Sequence, residues 1–224
     1  MITLYTTPLS ANGRKVQAAA LQLHLDLAIR HVNVYAGEGR TPEYLQINPT
    51  GKIPTLVDHD LVLSESNAIL IYLAEAHGSF QLFSDIPAER AAITKWLFWE
   101  SAHWQPALSS VLSGIVGHLL LPQQIAEPET PPNWADAQLR PLLVRLDEHL
   151  RDLSFLAGER PTIADFSVGG MTTYFRAARF PFSEYPSLSA WHARLEELDG
   201  WRATAVDPWS TGRRLASHLK CNTR

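Results

Sequence analysis

Three short polar segments near the start of the chain carry residues able to hold and activate a small ligand. The first, Thr7-Pro8-Leu9-Ser10-Ala11-Asn12-Gly13-Arg14-Lys15, leads from a strand-like stretch into a helix-like one. Ser10 and Asn12 sit where that helix opens. The first turn of a helix presents free N–H groups and a partial positive charge, which stabilise an anion placed there. Either residue could instead be a plain N-cap, a role that Ser and Asn favour. The second segment, Asn48-Pro49-Thr50-Gly51-Lys52-Ile53-Pro54-Thr55-Leu56, leads into a strand. Pro54 stands where a cis-proline can begin that strand, which would turn the Ile53 main chain outward to pair with a peptide ligand. A trans proline at a sheet edge is the alternative. Lys52 could pair with a carboxylate or be one more solvated lysine. In the third segment, Leu63-Ser64-Glu65-Ser66-Asn67-Ala68-Ile69, Ser66 begins a helix. Its hydroxyl and N–H could hold a carboxylate, and Glu65 could accept an ammonium group. A helix cap followed by a core face is the alternative.

The elements that must position these residues follow from the spacing of apolar side chains. Ile2 to Thr6 alternates as a strand does, and Val16, Ala19, Ala20 and Leu23 recur at helical spacing over Gly13 to His24. Ile29 to Val34 alternates again, and Pro42 to Ile47 is helical with Pro42 at its first position. Pro54 to Val57 and Leu61 to Leu63 are strands joined at Asp58-His59-Asp60, and Ser66 to His77 is a helix. The predicted order is β-α-β-α-β-β-α. After the turn-rich stretch Gly78 to Pro87 only helices are predicted: Pro87 to Leu119, Trp134 to Leu153, Thr162 to Ala178 and Ser187 to Leu198. A proline-rich loop, Pro122 to Pro132, separates the first two. Thr162-Ile163-Ala164-Asp165 reads as a capping box. The last stretch of chain reads as a short helix or a surface tail. All seven tryptophans lie after residue 95, so the two halves differ in texture. The expected domains are residues 1–80 and 87–224.

Composition narrows the function. Hydrophobic residues make up 46% of the 224 and charged residues 19%, enough to build a core and too apolar for disorder. The net charge of −4 is poor ground for a nucleic-acid binder. The single cysteine, Cys221, excludes a disulfide framework and a Cys-x-x-Cys pair, and a cytoplasmic location is expected. No stretch reads as a membrane span or export signal. The nine histidines show no metal-ligand spacing, and no Walker loop, nucleotide-binding glycine motif or nucleophile elbow is present.

Taken together, the element order, the polar switch after the first strand, Gly51-Lys52-Ile53-Pro54 and Glu65-Ser66-Asn67-Ala68-Ile69 resemble the glutathione transferase family. The likeness extends over nearly the whole chain. It implies a thioredoxin-like α/β N-terminal domain with an all-α C-terminal bundle, and a homodimer in the cytoplasm. It further implies glutathione as co-substrate, no cofactor and no metal. Ser10 matches the hydroxyl that many members use to hold the glutathione sulfur, and Asn12 matches a position that some bacterial members use. Ile53 matches the residue whose main chain pairs with the cysteinyl unit, and Pro54 the family's cis-proline. Glu65 and Ser66 match the pair that holds the γ-glutamyl ammonium and carboxylate. Lys52 and Arg40 fall where basic residues approach the glycine carboxylate.

The resemblance places the electrophile pocket in the aromatic run Trp96 to Pro106 of the second half. His103 and Trp104 are its expected lining there, with Leu9 from the first half. Glu100 and Ser101 are expected near a partner subunit's glutathione, and Asp165 as a folding element. The expected reaction is conjugation of the glutathione thiolate to a hydrophobic electrophile, a detoxifying transfer. Reduction of a disulfide or peroxide, which Asn12 keeps open, and a non-catalytic interaction module are the alternatives.

Overall fold

The computed structural model describes residues 1–121 and 124–212 of the chain. Its first half is a mixed sheet of order β2-β1-β3-β4. β1 (Ile2–Thr6) pairs in parallel with β2 (Leu27–His31) and antiparallel with β3 (Thr55–Asp58), which pairs antiparallel with β4 (Leu61–Ser64). The parallel pair needs a crossover, which α1 (Ala11–Gln22) supplies; α2 (Pro42–Ile47) and α3 (Ser66–Ala76) complete the unit. Leu4, Val16, Leu56, Ile69, Leu70 and Leu73 are fully buried between sheet and helices. Ser10 caps α1 by accepting the Gly13 N–H at 3.0 Å.

The second half is helical: α4 (Pro87–Trp99), α5 (Gln105–Leu120), α6 (Leu139–His149), α7 (Ile163–Gly169), α8 (Pro186–Glu197) and α9 (Asp199–Ala203). The predicted Ser187 to Leu198 helix is shifted by one residue, to Pro186–Glu197, and the other three differ more. The long one is interrupted over Glu100–Trp104 by a wider, π-type turn. Pro106 lacks the N–H that would close the next helical turn, and its ring crowds the carbonyl four residues back, which accounts for the widening. α6 begins later than Trp134, because Asp136 accepts the Gln138 and Leu139 N–H groups at 2.8 and 3.0 Å and starts the helix there. α7 passes into a tighter 3₁₀ turn at Gly170–Tyr174.

The capping box forms as read. Thr162 accepts the Ala164 N–H, and Asp165 accepts the Thr162 N–H at 2.8 Å. Asp165 is fully buried and also accepts the Leu156 N–H and the Trp191 indole N–H, both at 2.9 Å. Burial pushes its carboxyl above the ordinary range, and those donors oppose the push.

Among the described residues, no helix is long and apolar enough to cross a membrane. Cys221 and the end of the predicted tail lie outside the described residues.

Candidate active site

The starts of α1 and α3 meet at one cleft of about 550 Å³. Asn12, in the first turn of α1, accepts the Ser66 hydroxyl through Oδ1 at 3.4 Å. Gly13 lets α1 begin so close to the sheet, since a Cβ there would lie 1.8 Å from Thr6 Oγ1. Glu65 precedes α3 with φ of 68°, a left-handed conformation that non-glycine residues seldom adopt. No side chain caps α3, so its first N–H groups are left for a ligand at the cleft. Backbone strain of this kind gathers at binding sites, where the surrounding structure enforces it.

A second wall comes from the loop before β3. Asn48 is buried; its amide donates to the Lys52 carbonyl at 2.9 Å and to Thr55 Oγ1 at 2.8 Å. The Tyr44 hydroxyl donates to the same Lys52 carbonyl at 2.7 Å. Gly51, at φ of 67°, abuts Gly39: a Cβ on it would lie 2.5 Å from the Gly39 carbonyl oxygen. The loop is thereby held on both sides. The Ile53–Pro54 bond is cis, and among the described residues the Ile53 main chain has no hydrogen-bond partner.

The third wall is helical. Leu97, Phe98, Glu100, Ser101, Gln105, Pro106 and Ser109 line the cleft from α4, the π-type turn and α5. Beneath it lies a buried polar cluster. Lys15 is fully buried and donates to Glu100 Oε1 at 3.2 Å and to Asn67 Oδ1 at 2.9 Å. The Asn67 amide donates to Glu100 Oε2 and to the Leu97 carbonyl, both at 2.9 Å, while Ser167 donates to Asn67 Oδ1 at 2.7 Å. Burial lowers the Lys15 pKa, and Glu100 opposes the fall. The first turn of α3 is thus pinned to both α1 and the second half.

Asn12, Lys52, Ile53, Pro54, Glu65 and Ser66 are therefore neighbours around one cleft. Other sequence expectations need correction. Ser10 is not among the residues lining the cleft; its oxygen accepts the Gly13 N–H and caps α1. Leu9 has no exposed surface, and its carbonyl accepts the Tyr174 hydroxyl, so it packs in the core and cannot touch an electrophile. Trp104 is also wholly buried; its indole N–H donates to the Val168 carbonyl at 3.0 Å. The π-type turn rotates Trp104 inward and leaves His103 exposed, outside the cleft lining. Arg40 is exposed and likewise outside it, though its guanidinium lies beside Gly51. Glu100 is buried against Lys15 and Asn67, so it braces the cleft from within. Asn67, Gln105 and Ser109 also line the cleft, and no motif in the sequence singles them out. A polar residue directly after Glu65-Ser66 was the only available signal for Asn67.

Residues 1–75 match the family model of the glutathione S-transferase N-terminal domain, and residues 103–194 that of the C-terminal domain. The chain belongs to the glutathione transferase family. It is 33% identical over 205 residues to the disulfide-bond oxidoreductase YfcG of Escherichia coli (strain K12), covering 87% of this chain and 90% of that one. A delta-class glutathione transferase of Nilaparvata lugens shares the fold with a TM-score of 0.81 at 26% identity, over 100% of both chains. The theta class glutathione S-transferase of Xanthomonas axonopodis pv. citri, solved with glutathione bound, has a TM-score of 0.78 at 29% identity. That match covers 93% of this chain and 98% of the other. In this member of the family the sheet half and the helical half together frame the cleft.

Proposed function

We propose that the cleft binds glutathione, lowers its thiol pKa and delivers the thiolate to a hydrophobic electrophile. The observation that carries this reading is the meeting of Asn12 and Ser66, 3.4 Å apart at two helix starts, in a cleft also lined by Ile53 and Glu65. A tripeptide with a carboxylate at one end and a thiol in the middle suits that set. The Ser66 hydroxyl and the uncapped first turn of α3 receive the γ-glutamyl carboxylate. Glu65 accepts the ammonium group. The unpaired Ile53 N–H and carbonyl pair with the cysteinyl main chain, as an added strand would. Lys52 lies toward the glycine carboxylate.

The sulfur then lies near the start of α1, where the Asn12 amide and the helix end stabilise the thiolate over the thiol. These donors are already oriented and need not reorganise as charge develops. The thiolate attacks the electrophile, an S–C bond forms, and the leaving group departs with its electron pair. Leu97, Phe98 and Pro106 supply an apolar wall for that partner.

A second reading is reduction of a disulfide, in which the thiolate attacks one sulfur and a thiolate leaves. A second glutathione then resolves the mixed disulfide to glutathione disulfide. It is favoured by the carboxamide of Asn12, in place of the Ser10 hydroxyl, at the cleft and by the 33% identity to a disulfide-bond oxidoreductase. Initial rates with glutathione and a chloronitrobenzene, beside rates with glutathione and a small dialkyl disulfide, separate the two. Conjugate formation at the higher specificity constant supports transfer; activity on the disulfide alone transfers the assignment to reduction. No retention on a glutathione resin and no activity with either would overturn both.

A homodimer in the cytoplasm accompanies this proposal. Phe98 on the rim of the cleft is 70% exposed, an apolar surface that a second copy would cover.

A further inference from the structure

A second cleft, about 470 Å³, opens between α8, the 3₁₀ turn after α7 and the segment 205–209, and it shares no lining residue with the first. Arg14 reaches it from α1 and is 9% exposed. Its guanidinium donates to Thr173 Oγ1 at 3.0 Å and to the Trp201 carbonyl at 3.2 Å, and lies 4.2 Å over the Trp201 ring. Every one of those partners is neutral. Among the described residues no carboxylate lies within ion-pair distance of Arg14, and its Nε–H is buried without a partner.

Two carboxylates, Glu196 and Asp207, also line the cleft; Glu196 acts on Arg14 through space without touching it, and both are bonded to other groups. Glu196 is held by Arg176 at 2.6 Å. Asp207 accepts the Trp209 and Ser210 N–H groups at 3.1 and 3.2 Å. Burial, together with the two arginines, holds His192 below the ordinary histidine range against the opposing pull of Glu196. Burial pulls the Arg14 pKa down to about 10, so the guanidinium still carries its charge at pH 7. A buried cation without an anion in contact is costly to a fold. Here it borders open space whose other walls include Val206, Pro208 and the Trp209 indole.

We propose that this second cleft binds an aromatic carboxylate, with the carboxylate between Arg14 and Arg176 and the ring against Val206, Pro208 and Trp209. The ligand carboxylate supplies an anion in contact with Arg14, which Glu196 provides only through space, and a guanidinium matches a carboxylate in planar, two-point geometry. The apolar wall selects an aryl acid over a bare inorganic anion. Because the two clefts share no residue, this assignment does not depend on glutathione binding in the first.

Calorimetric titration of the full chain with benzoate, in the presence of excess glutathione, tests the assignment. Benzoate should bind at one site per chain. Benzamide and inorganic phosphate should bind at least tenfold more weakly. Glu196→Gln releases Arg176 for the ligand and should tighten benzoate by roughly fivefold, whereas Arg176→Gln should weaken it by a similar factor. Arg14→Met should abolish binding. Arg14 also holds Thr173 and Trp201, so the variants at Glu196 and Arg176, two partly exposed side chains, carry the test if Arg14→Met fails to fold. Absence of binding, displacement of benzoate by glutathione, equal binding of benzamide or phosphate, or no response to either surface variant would overturn the proposal.

Discussion

The Lys15 ammonium lies 3.2 Å from the Glu100 carboxylate, with side-chain exposures of 0% and 1%, and Asn67 bridges the two. Asn67 follows Ser66 in the first turn of α3, so this pair holds the cleft-facing end of α3 against the helical half. Removing one member of a buried pair leaves the other charge uncompensated and costs about 3–5 kcal/mol. Lys15→Met should lose stability on that scale in urea denaturation. The double variant Lys15→Met/Glu100→Gln should lose clearly less, because no buried charge remains. A double variant as unstable as the single one would show that the coupling is absent.

Ser66→Ala should raise KM for glutathione with kcat nearly preserved. The hydroxyl is assigned to the γ-glutamyl carboxylate, away from the reacting sulfur. A hydrogen bond to a charged group contributes about 1.5–3 kcal/mol, roughly a ten- to hundredfold change in KM. Steady-state kinetics at varied glutathione checks this, and an unchanged KM would remove Ser66 from the site.

Asn12→Ala should raise the thiol pKa in the glutathione complex and lower kcat. Ser10→Ala should instead cost about 0.5–2 kcal/mol of stability through loss of the α1 cap and leave the thiol untouched. Thiolate absorbance against pH, measured for both variants, distinguishes them. A pKa that moves only with Ser10→Ala would return the role to the hydroxyl.

Asp58 predicts an acid-sensitive clasp at the other end of α3. Its carboxylate accepts the Tyr72 hydroxyl at 2.7 Å and faces ring nitrogens of His77 at 2.7 Å and His59 at 2.8 Å. The Tyr72 hydrogen bond first, then those to the histidines, hold its pKa below the ordinary aspartate value. A lowered pKa stabilises the fold fully above the unfolded value of about 3.9, and that contribution is lost as pH falls through the folded value. Stability followed from pH 6 down to roughly pH 3 should therefore fall less in Asp58→Asn than in the parent. Parallel curves would sink the idea.

Local pattern made most elements legible. β1 and α2 occupy the predicted spans, because alternation, an N1 proline and the Thr41 cap are properties of neighbouring residues, and α3 starts at the predicted Ser66. The same holds for the Thr162–Asp165 capping box, whose partners stand within one turn. Ile53 and Glu65 were legible because strand-to-helix and loop-to-strand junctions announce themselves by residue type.

The sequence by itself determined the alternating sheet half, the helical half and the polar junctions that could face a ligand. Only the tertiary structure decided which junction residues share a cleft. Ser10 and Asn12 are two positions apart and both favour helix starts, yet the hydroxyl of one closes on Gly13 while the side chain of the other meets Ser66, far along the chain. Trp104 and Gln105 are adjacent, yet the π-type turn sends one into the core and the other to the cleft. Lys15, an unremarkable lysine in sequence, becomes the buried partner of Glu100. Periodicity reports which face of an element is apolar. Which distant face it meets depends on how helices separated in sequence pack, and a helix interruption at Pro106 is enough to redirect every side chain around it.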